Sequence, residues 1–429
     1  QNTMPIIKPF RGIRYNQTGV NINTVVAPPY DVISPEQQNQ LYDKDPYNIV
    51  RLILGREDDR YSAAAQSFKE WQDNGVLNRE ARPAIYPLVQ TFTATTGAVI
   101  QRKGFIALCH LEEFEKGIVL PHEKTLSKAK EDRFKLFKAT NSNFSQIFGL
   151  YSDAAKKVDA AIAPLYSTQA AVDVTFENVR NQLWVITESR AIEKIAMEME
   201  PKQVLIADGH HRYETALAYR DLMRSQNPNH NGTELYNYVM MFFTNLDDEG
   251  LVIFPTHRVI HSLPEFHWNE FGTTIQKYFT LTEFPTQAAM LKGLGSHARY
   301  AYGIIVKEGS KYWIASLKNP ASLGTLVPES LPIEVKDLDV VLLHSFLLGR
   351  VLGISIEAQD KKLNIHYIQS VADCESEIAK GLAQIAFVVN PTKIDQVRAV
   401  AKAGHTMPQK STFFYPKLLS GLVLNKMAE

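Results

Sequence analysis

The spacing of apolar and polar positions predicts a chain in which short strands and amphipathic helices follow one another. Apolar, β-branched runs bounded by turn residues indicate strands, and apolar positions three or four residues apart indicate helices. The ranges predicted as strands are 84–93, 102–110, 172–187 (as a hairpin), 204–208, and 238–245 with 252–257 as a pair. The ranges predicted as helices are 61–74, 189–198 and 210–226.

Proline decides the prediction for the start of the chain. Several prolines interrupt short apolar runs over 5–35, so we predict strands and turns there rather than helix. Ser34 followed by Pro35 then predicts a helix start, with Ser at the cap and Pro at the first helical position.

A new succession of predicted helices and strands begins near 262–264 and indicates a second domain. Its elements are strands over 300–306 and 311–317 and helices near 340–352 and 394–403. Internal repeats and low-complexity tracts are absent from the sequence. We therefore expect two domains, 1–262 and 263–429, of the α+β class with mixed sheets and packed helices. The end of the second domain is expected to fold back to the functional site of the protein.

Composition narrows the classes of function. The 46 basic and 46 acidic residues give zero formal charge, whereas a dedicated DNA-binding protein carries a basic surplus. The two cysteines are too few for a disulfide framework or a cysteine-built zinc site. No apolar stretch approaches the roughly 20 residues that span a bilayer, and no secretion signal is visible. We therefore expect a cytoplasmic protein with no DNA or membrane partner.

The most informative segment is 204–212, where a buried strand ends at Asp208 and a helix follows. Gly209 permits a sharp turn, and the helix N-terminus presents unpaired N–H groups to an anion. Arg212 is suited to clamp a phosphate, and Asp208 to bind Mg²⁺ or act as a base. Under the alternative interpretation, Asp208 is only an N-terminal helix cap.

A second segment, 122–138, contains six Lys and Arg against three Asp and Glu. His122, Glu123 and Thr125 form a loop that could supply a general base, and Lys130 and Arg133 begin a helix with further phosphate contacts. The alternative interpretation is a solvated basic helix, which charged runs usually form.

Two further segments carry weaker signals. Lys410, Ser411 and Thr412 offer ammonium and hydroxyl donors to an oxyanion, although the glycines of a P-loop are missing and the segment could simply dock the tail. Tyr30 and Asp31 follow two prolines and could form a site rim or a plain structural turn. His-Glu-x-x-His, dinucleotide, hydrolase-elbow and kinase signatures do not occur.

Five motifs of the chain resemble those of an uncharacterised bacterial and archaeal family called domain of unknown function 1015. The motifs lie at 29–32, 121–125, 130–133, 208–212 and 407–412. The turn at 208–212 is also similar to the phosphate-gripping turn of the ParB/sulfiredoxin superfamily, above all that of its free serine kinases, which use ADP or ATP.

The second resemblance implies a ParB/sulfiredoxin-like core elaborated by additional α/β segments. It implies a nucleotide pocket at Gly209, His210, His211 and Arg212, with Asp208 near the transferred phosphate and its Mg²⁺. In the kinases a Glu from an earlier segment activates the acceptor hydroxyl, and Glu123 is our candidate for that role. The sulfiredoxin cysteine has no counterpart, so cysteine sulfinic repair is not expected.

Three hypotheses follow. The first is a phosphotransferase or phosphohydrolase that uses ATP or ADP with Mg²⁺ on a small hydroxylated metabolite such as serine. The second is a non-catalytic nucleotide-sensing or scaffold protein, which keeps the phosphate turn and needs no base. The third is a metal-dependent hydrolase that uses His122, Asp208 and His210.

Overall fold

The structure, a computed structural model, describes residues 7–125 and 127–428. By contacts between residues the chain divides into two compact units. Unit 1 contains the described residues of 1–121, 125–252 and 416–429, and unit 2 contains 122–124 and 253–415. Both units combine helices with sheets, so the predicted α+β class with mixed sheets is confirmed. The functional domains 1–262 and 263–429 stay a proposal.

The large sheet of unit 1 mixes parallel and antiparallel pairs. Val204–Asp208 runs parallel to Val119–Leu120 and antiparallel to Ile147–Tyr151, which in turn is parallel to Tyr238–Asn245. In spatial order the strands are Val119–Leu120, Val204–Asp208, Ile147–Tyr151, Tyr238–Asn245, Val99–His110, Tyr86–Thr93, Val179–Leu183 and Val172–Phe176, with Ile7–Lys8 also paired to Val99–His110. Smaller pairs join Ile13–Tyr15 to Leu77–Arg79 and Ser142–Asn143 to Asn425–Lys426.

The helices of unit 1 bury an apolar face against this sheet. Tyr213, Ala216 and Leu217 share one buried face of the helix His210–Gln226 and enter the same core as Phe105 and Phe243, as their spacing predicts. The α-helices are Ile22–Val25, Pro35–Lys44, Val50–Ile53, Arg60–Asp73, Ser127–Thr140, Lys157–Ile162, Ser189–Met199 and His210–Gln226. Short 3₁₀ turns cover Tyr30–Val32, Phe114–Lys116, Ala163–Ser167 and Leu235–Asn237.

Unit 2 is built on an antiparallel sheet. Its strands in spatial order are Phe279–Phe284, Tyr312–Leu317, Ala301–Val306, Ile385–Val389, His257–Ile260 and Ile365–Ile368. Its α-helices are Trp268–Ile275, Gln287–Gly295, Leu323–Leu326, Ile333–Lys336, Asp339–Leu342, Ile356–Asp360, Val371–Ala379 and Ile394–Lys402, with a 3₁₀ turn at Pro320–Ser322. The predicted helix near 340–352 continues beyond Leu342 as a π-helix, Leu343–Val351.

Two predictions of local structure are wrong. Val252–Phe254 does not pair with Tyr238–Asn245 but forms its own sheet with Phe413–Tyr415, a distant partner that no local pattern reveals. The segment 5–35 contains a short helix, Ile22–Val25, because Asn21 accepts a hydrogen bond from the Asn23 N–H and caps it. The cap at Ser34, in contrast, is confirmed by its bond from Gln37 N.

A single glycine joins the strand Val204–Asp208 (the site strand) to the helix His210–Gln226 (the site helix). Gly209 is the N-cap residue and has φ of 91° and ψ of 27°, a left-handed conformation that residues with a Cβ rarely adopt. Asp208 is therefore not the cap, although its Oδ1 accepts a hydrogen bond from the Gly209 N–H at 2.8 Å. The turn places the carboxylate and the first helical N–H groups side by side.

Replacing this glycine tests how tightly the turn is built. Gly209→Ala adds a Cβ 3.1 Å from Arg212 Nη2 as well as backbone strain, whereas Gly97→Ala, at φ of 83°, meets nothing within 4 Å. We expect unfolding free energies lower by roughly 2 kcal/mol for Gly209→Ala and roughly 1 kcal/mol for Gly97→Ala, measured by urea denaturation. Equal losses would show that the Arg212 guanidinium moves aside without cost.

A group of carboxylates in unit 1 makes stability depend on pH. Burial, followed by the charges of Asp248 and Asp153, raises the pKa of Asp159 from its ordinary 3.8 to about 6. Between these two values the folded state holds a proton that the unfolded state releases. Stability therefore falls as the pH rises through this window.

Asp159→Asn removes the negative charge that burial and the neighbouring carboxylates make unfavourable in the folded state. We expect it to raise the unfolding free energy above pH 6 by roughly 1 kcal/mol, since partial exposure screens the full effect, and to have little effect below pH 4. The matched control is Asp173→Asn, because a hydrogen bond from Arg180 lowers the pKa of Asp173. Denaturation at pH 4 and pH 7.5 measures both; a variant no more stable than the parent at pH 7.5 would contradict the expectation.

Candidate functional site

The turn between the site strand and the site helix brings Arg212 beneath Gly209. Arg212 is buried, and its Nη1 donates to the carbonyl oxygen of Gln146. The guanidinium lies so close to Gly209 that the missing Cβ is what makes room for it. His210 is buried and His211 half-buried on the first helical turn. Arg212 is thus held rigidly at a helix N-terminus, where positive charge and N–H groups converge.

Asp208 forms an ion pair that the sequence did not predict. Its Oδ2 accepts a hydrogen bond from Lys417 Nζ at 3.0 Å, and both side chains remain about a quarter exposed, at 26% and 21%. Lys417 is more than 200 residues away along the chain. The only local signal was its place at the end of an unusual aromatic and basic segment, 408–417.

A fully buried arginine adds a further positive charge in unit 1. Arg102 donates to Gln90 Oε1 and to the Pro416 carbonyl oxygen, and its guanidinium lies 4.5 Å from the centre of the Phe148 ring. Burial lowers the pKa of Arg102 to about 9, while the charge of Asp208 acts in the opposite direction. Arg102 and Lys417 therefore both bring positive charge near the Asp208 carboxylate.

Two predicted residues of the basic segment contact the site helix. Thr125 Oγ1 donates to Glu214 Oε2, and Lys130 Nζ lies 3.6 Å from the same oxygen. Glu214 is on the second turn of the site helix, so Thr125 and Lys130 contact this helix within unit 1.

Arg133 supports a neighbouring part of unit 1. It donates to Asp132 Oδ2 and to the Ile53 carbonyl oxygen, and its guanidinium lies 3.7 Å from the centre of the Tyr30 ring. Burial raises the pKa of Tyr30, and the nearby Arg133 and Arg212 lower it only in part. Tyr30 is half-buried in this arrangement and Asp31 is exposed. These contacts are structural, and the phosphate-binding role of Arg133 stays a prediction.

Unit 2 brings together the predicted residues His122, Glu123 and Thr412. Glu123 Oε1 accepts hydrogen bonds from Thr412 N at 3.2 Å and from Thr412 Oγ1 at 3.0 Å. His122 is fully buried, and its Nε2 lies 2.8 Å from the same hydroxyl oxygen. Since the hydroxyl proton goes to Glu123, the imidazole Nε2 acts as donor to Thr412.

Lys410 and Ser411, the other predicted residues of unit 2, form hydrogen bonds through the segment 408–412. Lys410 has φ of 58°, a left-handed conformation, and its carbonyl oxygen accepts a hydrogen bond from Arg258 Nη2 at 3.2 Å. Ser411 Oγ donates to the Pro408 carbonyl oxygen. Arg258 is fully buried and interacts electrostatically with Glu123, and burial lowers its pKa. The conformation of this loop depends on its contacts with Arg258, which the sequence did not predict.

The structure thus distributes the predicted site residues over two units. Those in unit 1 are Tyr30, Asp31, Thr125, Lys130, Arg133, Asp208, Gly209, His210, His211 and Arg212. Those in unit 2 are His122, Glu123, Lys410, Ser411 and Thr412. Over 7–125 and 127–428, no group of three or more His, Cys, Asp and Glu is arranged to hold a metal ion. Within the same residues, no helix has the length and apolar character needed to cross a membrane.

Several solved structures resemble the chain weakly. A conserved hypothetical protein from Pyrococcus furiosus is 13% identical with a TM-score of 0.33, and the alignment covers 70% of this chain and 87% of that one. A free serine kinase in complex with AMP is 12% identical with a TM-score of 0.34, covering 70% and 84%. SbnI from Staphylococcus aureus, truncated at its C-terminus, is 11% identical with a TM-score of 0.35, covering 73% and 85%. At these values the likeness carries no argument, and the ParB/sulfiredoxin-like core stays a prediction.

The family model gives a firmer result. No curated protein matches the chain significantly. The model described as "Protein of unknown function (DUF1015)" matches residues 7–341, which contain four of the five motifs that suggested the resemblance. The fifth motif, 407–412, lies beyond the matched range. The chain therefore belongs to the DUF1015 family.

Proposed function

We propose that unit 1 binds the phosphates of a nucleotide, ATP or ADP, at Asp208–Arg212. The observation that carries this proposal is that the buried Arg212 lies at the N-terminus of the site helix, with Lys417 and Arg102 both near the adjoining Asp208 carboxylate. A phosphate group supplies the negative charge and the acceptor oxygens that such an arrangement favours.

The fuller proposal is a cytoplasmic phosphotransferase or phosphohydrolase that acts on a small hydroxylated metabolite such as serine. Two buried free cysteines, Cys109 and Cys374, are consistent with a reducing compartment. In such an enzyme, Arg212 and the helix N–H groups would hold and orient the phosphates, and Lys130 would join them. Catalysis by positioning and charge neutralisation suits this reaction, because the transferred group spreads negative charge over its oxygens.

Asp208 is the proposed ligand of Mg²⁺. Mg²⁺ prefers carboxylate and phosphate oxygens, and Asp208 supplies a carboxylate directly before the proposed phosphate turn. The metal would neutralise phosphate charge. Glu123 is the proposed base for the acceptor hydroxyl, since a carboxylate is suited to accept that proton.

A non-catalytic nucleotide sensor is the second candidate, and one observation favours it. Glu123 Oε1 accepts two hydrogen bonds from Thr412, the pattern of a carboxylate that holds a chain segment in place. In that case the phosphate turn binds nucleotide and Glu123 has only a structural role.

Nucleotide binding is tested by thermal denaturation of the full chain. ATP or ADP with Mg²⁺ at about 100 times Kd should stabilise the folded state by roughly 2.7 kcal/mol, seen as a rise in Tm of a few degrees. Adenosine, which lacks phosphates, is the control and should give a much smaller shift. No shift with any nucleotide would overturn the binding proposal. Firmly bound zinc or iron in the purified protein would instead favour the metal-dependent hydrolase.

The role of Glu123 is tested by Glu123→Gln. Because the amide cannot accept a proton, we expect phosphoryl transfer from ATP or ADP to serine to fall by on the order of 10²–10⁴-fold, with nucleotide Kd unchanged. Glu131→Gln is the matched control, since Glu131 pairs with Lys135 on an exposed helix surface. Activity retained in Glu123→Gln would refute the base; an inactive parent that still binds nucleotide would favour the sensor.

A further inference from the structure

The segments that follow two parallel strands of unit 1 carry acidic side chains. The strands are Ile147–Tyr151 and Tyr238–Asn245, which are neighbours in the large sheet. Asn245 Oδ1 accepts a hydrogen bond from Asp153 N at 3.0 Å, and the Asn245 carbonyl oxygen accepts one from Asp248 N at 3.0 Å. These bonds hold the two segments together, with Asp153 on one and Asp248 on the other.

A third carboxylate, that of Asp159, comes from a short helix beside the strand ends. Asp153 Oδ2 accepts a hydrogen bond from Val158 N at 2.9 Å and so holds the start of this helix. The charges of Asp248 and Asp153 act on Asp159 against that of Lys103. We call Asp153, Asp159 and Asp248 the acidic cluster. Within the part of the chain that the structure describes, none of its three carboxylates forms an ion pair.

Two buried tyrosine hydroxyl groups face this cluster. Tyr151 is 1% exposed, and neither its Oη nor that of Tyr166 has a hydrogen-bond partner among the described residues. Burial, followed by the charge of Asp159, raises the pKa of both tyrosines. The rings pack in the apolar core of unit 1 while their hydroxyl groups lie within the field of the carboxylates. Because a buried hydroxyl without a hydrogen bond is costly, a ligand here would explain both.

The chemistry of these groups favours an ammonium ligand. Ionised carboxylates only accept hydrogen bonds, and a phenol oxygen can accept them as well. An ammonium group has three N–H donors and no acceptor, so it fits such a set of oxygens. A metal ion held by side chains needs several ligands around one point, and among the described residues no group of three or more His, Cys, Asp and Glu is arranged to hold one.

We propose that the acidic cluster, together with the Tyr151 and Tyr166 hydroxyl groups, binds the primary ammonium group of a small amine. This place is distinct from the phosphate turn. Asp208 pairs with Phe148 near the start of the strand Ile147–Tyr151, whereas the acidic cluster lies beyond the end of that strand. The inference therefore goes beyond the proposed function and does not depend on it.

Binding at this place depends on the ionisation of Asp159. Burial and the neighbouring carboxylates raise its pKa to about 6, so Asp159 is mostly ionised at pH 7.5 and mostly protonated at pH 5. A primary amine stays protonated at both values. We therefore expect Kd to rise roughly tenfold from pH 7.5 to pH 5. The other titratable groups that face Asp159 are Asp153, Asp248, Lys103, Tyr151 and Tyr166.

Calorimetric titration of the full chain with putrescine, a small diamine, tests the site. Butanediol, which carries hydroxyl groups in place of the ammonium groups, is the control ligand, and CaCl₂ is the metal probe. We expect putrescine to bind at pH 7.5, and Asp159→Asn and Tyr151→Phe each to raise its Kd roughly tenfold. Asp173→Asn is the matched control, because Asp173 pairs with Arg180 on an exposed hairpin, and it should leave Kd within about twofold of the parent.

Each outcome decides for or against the amine site. No binding of putrescine at pH 7.5, equal binding of butanediol, or binding of Ca²⁺ in place of putrescine overturns the inference. The same Kd in Asp159→Asn as in the parent, or at pH 5 as at pH 7.5, also overturns it, because the effect would then not come from the ionised cluster. Since Asp159→Asn is expected to be more stable than the parent at pH 7.5, a loss of binding in this variant cannot be due to unfolding.

Discussion

The left-handed backbone of Gly209 is the constraint on which the arrangement of unit 1 depends. At φ of 91° the chain turns directly from the site strand into the site helix, so the Asp208 carboxylate lies at the helix N-terminus and accepts a hydrogen bond from the Gly209 N–H. The absence of a Cβ also admits the Arg212 guanidinium beneath the turn. A residue with a Cβ would disturb either the left-handed turn or the position of the Arg212 guanidinium.

Around that turn, buried polar side chains bind the backbone of residues 416–419. Arg102, Gln90 and Gln146 donate hydrogen bonds to the carbonyl oxygens of Pro416, Lys417 and Leu419, in the segment that precedes the strand Asn425–Lys426. The segment contributes the ammonium of Lys417. Pre-positioned charges of this kind suit ligand binding, because little has to reorganise when the ligand arrives.

The sequence predicted what depends on neighbours along the chain and missed what depends on distant contacts. The helix at His210, the positive φ of Gly209 and the buried face of Tyr213 and Ala216 follow from local spacing and are confirmed. Lys417 could not be assigned, since its partner Asp208 is brought close only by the folded sheet. The pairing of 252–254 with Phe413–Tyr415 was missed for the same reason.

The buried charge of Arg102 gives the strongest physical support for the proposed anion site. Burying a guanidinium is costly, and apolar residues of similar volume in such positions are often neutral or stabilising. Its bonds to Gln90 and Pro416 recover part of that cost, yet Nη1 remains without a partner among the described residues. Stability alone would favour an apolar side chain over the rings of Phe148 and Phe242. A positive charge kept there, near Asp208, fits the proposed phosphate ligand, whose negative charge would offset the desolvation of Arg102.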